Sequence, residues 1–440
     1  MKKLLTWVVV CALCLGMVSF AQAEGSTLQV ACSETNRWIP VMAEKYMEQH
    51  PDVKVELIPI SSTSGDMYTK MSMMMMSPET SPDVITEDGF MVNSDAAAGY
   101  LEKLDDRVAN WADWDQFVEA VKAGGYGEDG SVYGIPTSTD VQVLYYSKTL
   151  MQKIGKELPW QPKDWAEMLD AARAIKALGD EETYPMFLYL SKVTGEQTSM
   201  RTFQTLMSGT GVELYDAKEG KWLVDKKAIS DVLTFLKAAV DEELVTPFSL
   251  ASNSRVEDIL NSDIRMNAHL GFGIDGSWVP GNWRATGNFP WPEAMEEIGV
   301  AAVPTQFGQE PGYTTMSGGW TLALCKNGDE KDLGWDFIAF CASKEGLLEN
   351  NQLSGDMTPR MDVAADPSYT SMEHSIYDLT TTYLEFTHFR PTYDNYPAVS
   401  TLIQEMCESI ATGSMNVEQA LNQYISEMQR VVGEENVIVR

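Results

Sequence analysis

Residues 133–148 read YGIPTSTDVQVLYYSK, and residues 162–176 read PKDWAEMLDAARAIK. The polar run Thr137 to Asp140 enters an apolar, aromatic strand pattern that ends at Lys148. A loop containing Pro159 and Pro162 follows. Asp164 then stands where a helix N-cap is expected, and Glu167 three residues on is spaced for a capping box. Trp165, Met168, Leu169, Ala172, Ile175 and Leu178 recur at helical spacing and predict one apolar face. Gly179 is placed to end the helix.

Toward the N-terminus the pattern is strand and helix in alternation. Thr27 to Ala31 alternates polar and apolar, as a half-buried strand does. Glu34-Thr35-Asn36 turns into a helix with Trp38, Val41, Met42 and Tyr46 on one side, stopped by His50-Pro51. Val53 to Leu57 is a second strand, a helix covers Met67 to Met76, and Pro82 to Thr86 is a third strand ending at Glu87-Asp88. This order predicts a parallel sheet with crossover helices. Ligands of such sheets sit beyond the carboxyl ends of the strands, which here carry Glu34 to Trp38 and Glu87-Asp88. Toward the C-terminus, helices are predicted near 197–207 and 227–241. Strand-like runs follow at 299–304 and 318–324, and helical segments then run to the end.

The first residues have the form of a cleaved export signal. Lys2 and Lys3 precede an apolar run from Leu4 to Phe20, and Ala21-Gln22-Ala23 is a small-x-small cleavage site. Neither Cys11 nor Cys14 sits in a lipid-attachment pattern. A freely soluble exported protein is therefore expected, with a lipid anchor as the alternative. Residues 1–23 being removed, about 417 remain, more than one typical domain. Cys32, Cys325, Cys341 and Cys407 remain with them. Export permits disulfides, and Cys325 and Cys341 are close enough in sequence to be tested as a pair. Buried free thiols are the favoured reading.

The chain carries 32 basic and 64 acidic residues, a formal charge of -32. That disfavours nucleic acid or an anionic membrane as partner. Gly271 to Gly276 fits a dinucleotide glycine pattern, but it opens no first βαβ unit, and Pro280-Gly281 interrupts the helix it would need. No phosphate loop, nucleophile elbow or His-Glu-x-x-His motif occurs. The five methionines between Met71 and Met76 could suit a soft metal, but a buried helix filled with flexible apolar side chains is the preferred reading. No metal and no cofactor are implied. Trp38, Trp278, Trp283, Trp320 and Tyr393 each lie beside polar residues at loop positions. An aromatic plane covers the apolar face of a sugar, and neighbouring carboxylates, amides and guanidinium groups take its hydroxyls.

Several segments, in order, resemble the extracellular solute-binding proteins of ABC importers, the family that includes maltose-binding protein and the glycerol-3-phosphate receptor. They are Pro82 to Ile85, Ile135-Pro136 through Leu144-Tyr145-Tyr146-Ser147-Lys148, Asp164 to Glu167, and Asp275-Gly276-Ser277-Trp278. Gly318-Gly319-Trp320 ahead of Trp335 to Phe340, Gly355 to Arg360, and Phe389-Arg390-Pro391 to Ser400 complete the set. The resemblance covers nearly the whole mature chain. It departs from the family at Ser147, where asparagine is usual.

The resemblance implies a two-lobed α/β fold of the type II periplasmic-binding-protein kind, closing over a ligand. The implied lobes are 24–139 with about 300–340, and 140–299 with about 341–440. Asp140 matches a hydroxyl-binding acid, with Thr139 beside it. Trp278 matches a sugar-stacking ring, with Asp275 in the same loop. Glu87 or Asp88 falls near an acidic ligand position, and Trp38 or Trp320 is a second stacking candidate. Gly319 and Arg390 match ligand positions of the glycerol-phosphate receptor. Asp356 stands where that receptor has a tyrosine, which disfavours a phosphate ligand.

The implied function is a non-enzymatic, monomeric receptor in the periplasm or extracytoplasmic space that hands a sugar or oligosaccharide to a permease. The alternatives are a receptor for a glycerol-phosphate diester or polyol phosphate, a secreted carbohydrate-active enzyme, and a sensor signalling to a membrane kinase.

Overall fold

The computed structural model describes residues 25–61, 66–393 and 395–440. The expected signal at 1–23 lies outside them.

Strand β1 (Ser26–Ser33) buries Leu28 and Val30 and turns Gln29 outward. Helix α1 (Trp38–Gln49) starts where Asn36 Oδ1 accepts from the N–H groups of Trp38 at 3.0 Å and Ile39 at 2.8 Å. It buries Trp38, Ile39, Met42, Ala43 and Tyr46. Strand β2 (Val53–Ile60) runs parallel to β1 in full register from Ser26 opposite Val53. Helix α2 (Met67–Met75) buries Met67, Met71 and Met75, at i, i+4 and i+8. Met73 stays 63% exposed and Met76 60%. The methionine run is thus one face of an amphipathic helix, not a helix buried all round. Each buried methionine contributes about 1.5–3 kcal/mol of transfer free energy. Strand β3 (Val84–Asp88) is buried along its whole length.

Strand β4 (Gly134–Pro136) closes the first half, and β5 (Gln142–Ser147) opens the second. On β5, Val143 and Tyr145 face one core while Leu144 and Tyr146 face another. The tyrosine hydroxyls are tied within the scaffold: Tyr145 donates to the Gly276 carbonyl at 2.9 Å, and Tyr146 accepts from the Trp160 N–H at 3.0 Å. Helix α3 (Trp165–Lys176) is capped by Asp164, which accepts from the Glu167 N–H at 2.8 Å. The capping box is not completed. Glu167 accepts instead from the Lys163 N–H at 3.0 Å and pairs with Lys156 at 2.8 Å. The helix ends before Leu178, which is 41% exposed rather than on the apolar face.

Beyond α3 come β6 (Tyr184–Phe187), α4 (Lys226–Asp241), β7 (Leu270–Gly276) and β8 (Ile298–Ala301). Strand β9 (Tyr313–Ser317) leads into β10 (Trp320–Leu324). Helices α5 (Lys331–Cys341), α6 (Lys344–Ser354), α7 (Tyr396–Ala411) and α8 (Val417–Val432) follow.

The strands form two main sheets. The first has the order β2-β1-β3-β10-β4, with β10 antiparallel to both neighbours. The second has the order β8-β5-β7-β6. Helices α3, α4, α7 and α8 contribute to the core of the second lobe, while α1, α5 and α6 contribute to that of the first. The chain passes from the first sheet to the second between β4 and β5, and returns to the first at β10 from β9, which pairs with 303–304 and 387–389 in a separate three-stranded sheet.

This assigns two stretches differently from the sequence expectation. Residues 300 and 301, expected with the first lobe, pair with β5 as the end of the buried strand Ile298–Ala301. Residues 344–354, expected in the second lobe, pack on α1. Trp38 Nε1 donates to the Gly346 carbonyl at 2.9 Å, and Lys45 pairs with Glu349 at 2.6 Å. Gly271 to Gly276 forms strand β7 and receives no phosphate-binding helix. The four described cysteines are buried free thiols.

Candidate functional site: a cleft between the lobes

Asp140 lies on the first crossing and Gly318-Gly319 on the second, and the two crossings touch. Asp140 Oδ1 accepts from Gln142 Nε2 at 3.1 Å and from the Gly318 N–H at 3.2 Å. Thr139 Oγ1 donates to the Gly318 carbonyl at 3.2 Å, and its backbone bridges to Met357. Arg390 and Asp140 crowd Gly318: a Cβ there would lie 2.6 Å from Arg390 Nη2 and 3.3 Å from Asp140 Oδ2. Asp140 keeps part of its surface open although protein surrounds it. Burial pushes its pKa up to about 7. Arg390 and Arg201 pull it down, while Asp356 and Asp88 push it further up.

Beside it, Arg390 Nη2 donates to Asp88 Oδ1 at 2.6 Å, and Nη1 reaches Glu196 Oε1 at 3.4 Å. Glu196 is also bonded by the hydroxyls of Tyr396 and Ser400, and Asp88 by Tyr68 at 3.0 Å. Burial works against the Arg390 charge, and Asp88 and Glu196 outweigh it, leaving the pKa raised. Burial raises the pKa of Glu196, with Arg390, Ser400 and Tyr396 opposing.

Trp278 is half-buried on the second-lobe side. Its Nε1 donates to Glu257 Oε1 at 3.4 Å, and the Arg201 guanidinium carbon stands 4.6 Å from the ring centre. Arg201 Nη1 donates to Asp275 Oδ1 at 2.9 Å, and Arg265 Nη2 donates to Asp275 Oδ2 at 2.8 Å. From the first-lobe side, Asp356 is half-buried and feels Arg37 and Arg284. Burial raises its pKa to about 6, while Ser354 and the two arginines oppose the rise. Trp320 and Gly319 are half-buried at the same crossing.

Asp88, Asp356 and Arg390 thus all act on the charge of Asp140, with Gly319 and Trp320 at the crossing, Trp320 opposite Asp88, and Trp278 against Arg201. Four other candidates are spent within the scaffold. Trp38 is 3% exposed in the first-lobe core, held by the Gly346 carbonyl. Asp275 is fully buried with both oxygens on arginines. Thr139 is buried, and its hydroxyl is committed to Gly318. Glu87 alternates with Asp88 along β3 and is fully buried, with neither carboxyl oxygen hydrogen-bonded. Burial, then Asp95 and Asp88, drive its pKa well up.

Sequence reasoning missed Glu196, Arg201, Tyr68 and Tyr396. Tyr396 lies within the segment 389–400 without being singled out there; the other three lie in no motif, and Glu196 meets Arg390 only through a sequence separation of 194. Among the described residues no three His, Cys, Asp or Glu side chains are grouped to hold a metal. His374 pairs with Glu373 and His388 with Glu213, so the two histidines do not form a site.

Among curated proteins, the chain is 24% identical over 211 residues to an arabinooligosaccharide-binding protein of Bacillus subtilis, covering 47% of this chain and 45% of that protein. It is 23% identical over 346 residues to a mannitol-binding protein of Pseudomonas aeruginosa, covering 76% and 72%. Among solved structures, the GacH receptor of Streptomyces glaucescens superposes with a TM-score of 0.79 at 20% identity, over 92% of this chain and 98% of that one. The maltose-bound MalE3 of T. maritima gives 0.77 at 20% identity, over 92% and 99%. These structures share the two-lobed fold. Residues 33–347 match the model of the bacterial extracellular solute-binding proteins. With two main sheets joined by paired crossings, the chain belongs to the bacterial extracellular solute-binding protein family.

Proposed function

We propose that the protein is an extracytoplasmic receptor of an ABC importer that captures a neutral sugar or polyol between its lobes and delivers it to the permease. The observation that carries this reading is the chemistry of the gap. Asp140 and Asp356 keep open surface beside the half-buried rings of Trp278 and Trp320. Carboxylates accept the donor protons of hydroxyls, and an indole plane covers the apolar face of a sugar ring. Relatives named for arabinooligosaccharide and mannitol, and structures titled with tagatose, ribitol and mannitol, support the same ligand class.

A phosphate ligand is less well served. Arg390 is already matched by Asp88 and Glu196, and Arg201 by Asp275 and Glu257. A phosphate would also meet the acids Asp140 and Asp356. The role is capture and release, without bond-making. Export with cleavage after Ala23 and action as a monomer belong to the same reading.

A thermal-shift screen against neutral sugars, polyols and glycerol phosphodiesters tests it. A ligand at about 100 times its Kd adds about 2.7 kcal/mol of apparent stability. A neutral sugar or polyol is expected to raise Tm. Stabilisation by phosphodiesters alone, or turnover of a glycoside, would overturn the reading.

A further inference from the structure

Arg390 bridges two lobes. Asp88 ends β3 of the first sheet, whereas Glu196 precedes the helical segment Gln197–Gln204 of the second lobe. Arg390 reaches both, at 2.6 Å and 3.4 Å, and is itself 7% exposed. Glu196 is anchored to its own lobe by Tyr396 and Ser400, both on α7. Tyr68, on α2 of the first lobe, anchors Asp88. Apolar contact runs alongside. The ring of Phe90, just past β3, meets that of Tyr396 edge-on at 5.3 Å, and Arg390 lies over Phe90 at 4.6 Å. Phe90 and Met91 thereby join the second-lobe core although they follow a first-lobe strand.

All these partners belong to the protein. A buried cation between two acids, each bonded within its own lobe, ties the lobes together through the protein's own side chains. The groups left with open surface lie elsewhere in the gap, at Asp140, Trp278, Trp320 and Asp356.

We infer that Asp88, Arg390 and Glu196 form a clasp that keeps one part of the cleft closed without ligand, leaving the Asp140–Trp278–Asp356 part as the ligand space. The inference rests on the gap being a ligand cleft. It makes the clasp residues determinants of ligand size: a compact sugar or polyol fits beside the clasp, whereas a long oligosaccharide must displace it.

The test is a distance measurement between spin labels at Glu48→Cys on α1 and Asn422→Cys on α8, in the protein without residues 1–23, unfolded and refolded to strip any bound solute before labelling. Both positions are exposed, and the four native described thiols are buried. Ligand-free protein is expected to show a dominant short-distance population. Glu196→Gln, which keeps the side-chain shape and one acceptor oxygen, and Asp88→Asn are each expected to cut that population by at least half. A single long distance in the ligand-free parent, or variants with the parent's distribution, would overturn the clasp. The readout needs no ligand. Failure of sugar binding would therefore count against the proposed function and leave this result intact.

Discussion

The guanidinium carbon of Arg201 stands 4.6 Å from the centre of the Trp278 ring, while its Nη1 donates to Asp275 at 2.9 Å. A fully buried carboxylate thus fixes an arginine, and the arginine covers one face of the indole. Asp275 therefore acts through Arg201. Asp275→Asn leaves two buried guanidinium groups poorly matched, and breaking a buried pair costs about 3–5 kcal/mol. Urea denaturation should show a loss near the lower end of that range.

Trp278 and Trp38 should separate cleanly. Trp278→Ala is expected to weaken cognate-ligand binding more than about tenfold, since one aromatic contact is worth about 1 kcal/mol beyond its buried area. Trp38→Phe removes the bond to the Gly346 carbonyl and part of a ring buried in the first-lobe core. It should cost about 1–3 kcal/mol of stability with affinity unchanged. Calorimetry and urea denaturation on both variants check the pair.

Asp140 makes stability fall as pH rises. Burial lifts its folded pKa from 3.8 to about 7. The folded protein then holds a proton that the unfolded chain releases earlier. The associated stability is fully present below pH 3.8 and is lost as pH rises through about 7. Asp140→Asn lacks this titration. The Tm of the variant minus that of the parent should increase steadily between those limits and level off above them.

Gly319 has φ +150°, and a Cβ there would lie 2.2 Å from the Ser138 carbonyl oxygen. The second crossing thus approaches the first too closely for any side chain. Gly319→Ala should destabilise the fold by at least about 1–3 kcal/mol, read by urea denaturation.

Much of the frame is legible in the sequence, because it rests on local rules. Alternation marks β1 and β2, and Asp164 marks the start of α3 by its side-chain chemistry. The short strands Tyr313–Ser317 and Thr387–Phe389 carry no alternation long enough to read, and they exist because they pair with each other. The cleft is legible only in part. Asp140 and Trp278 sit in recognisable motifs. Trp38 has the same local look as Trp278, yet the packing of α6 on α1 buries it. Glu196 is one acid among 64 acidic residues, and only the fold brings it to Arg390.

The central claim is that Asp140 and Trp278 hold a neutral carbohydrate in the cleft. Titration calorimetry of refolded, solute-free protein with the best neutral sugar or polyol from the screen tests it most directly. The account predicts one site per chain, weakened at least about a hundredfold, or about 2.7 kcal/mol, in the Asp140→Asn, Trp278→Ala double variant. Equal affinity in the parent and in a correctly folded double variant would contradict it.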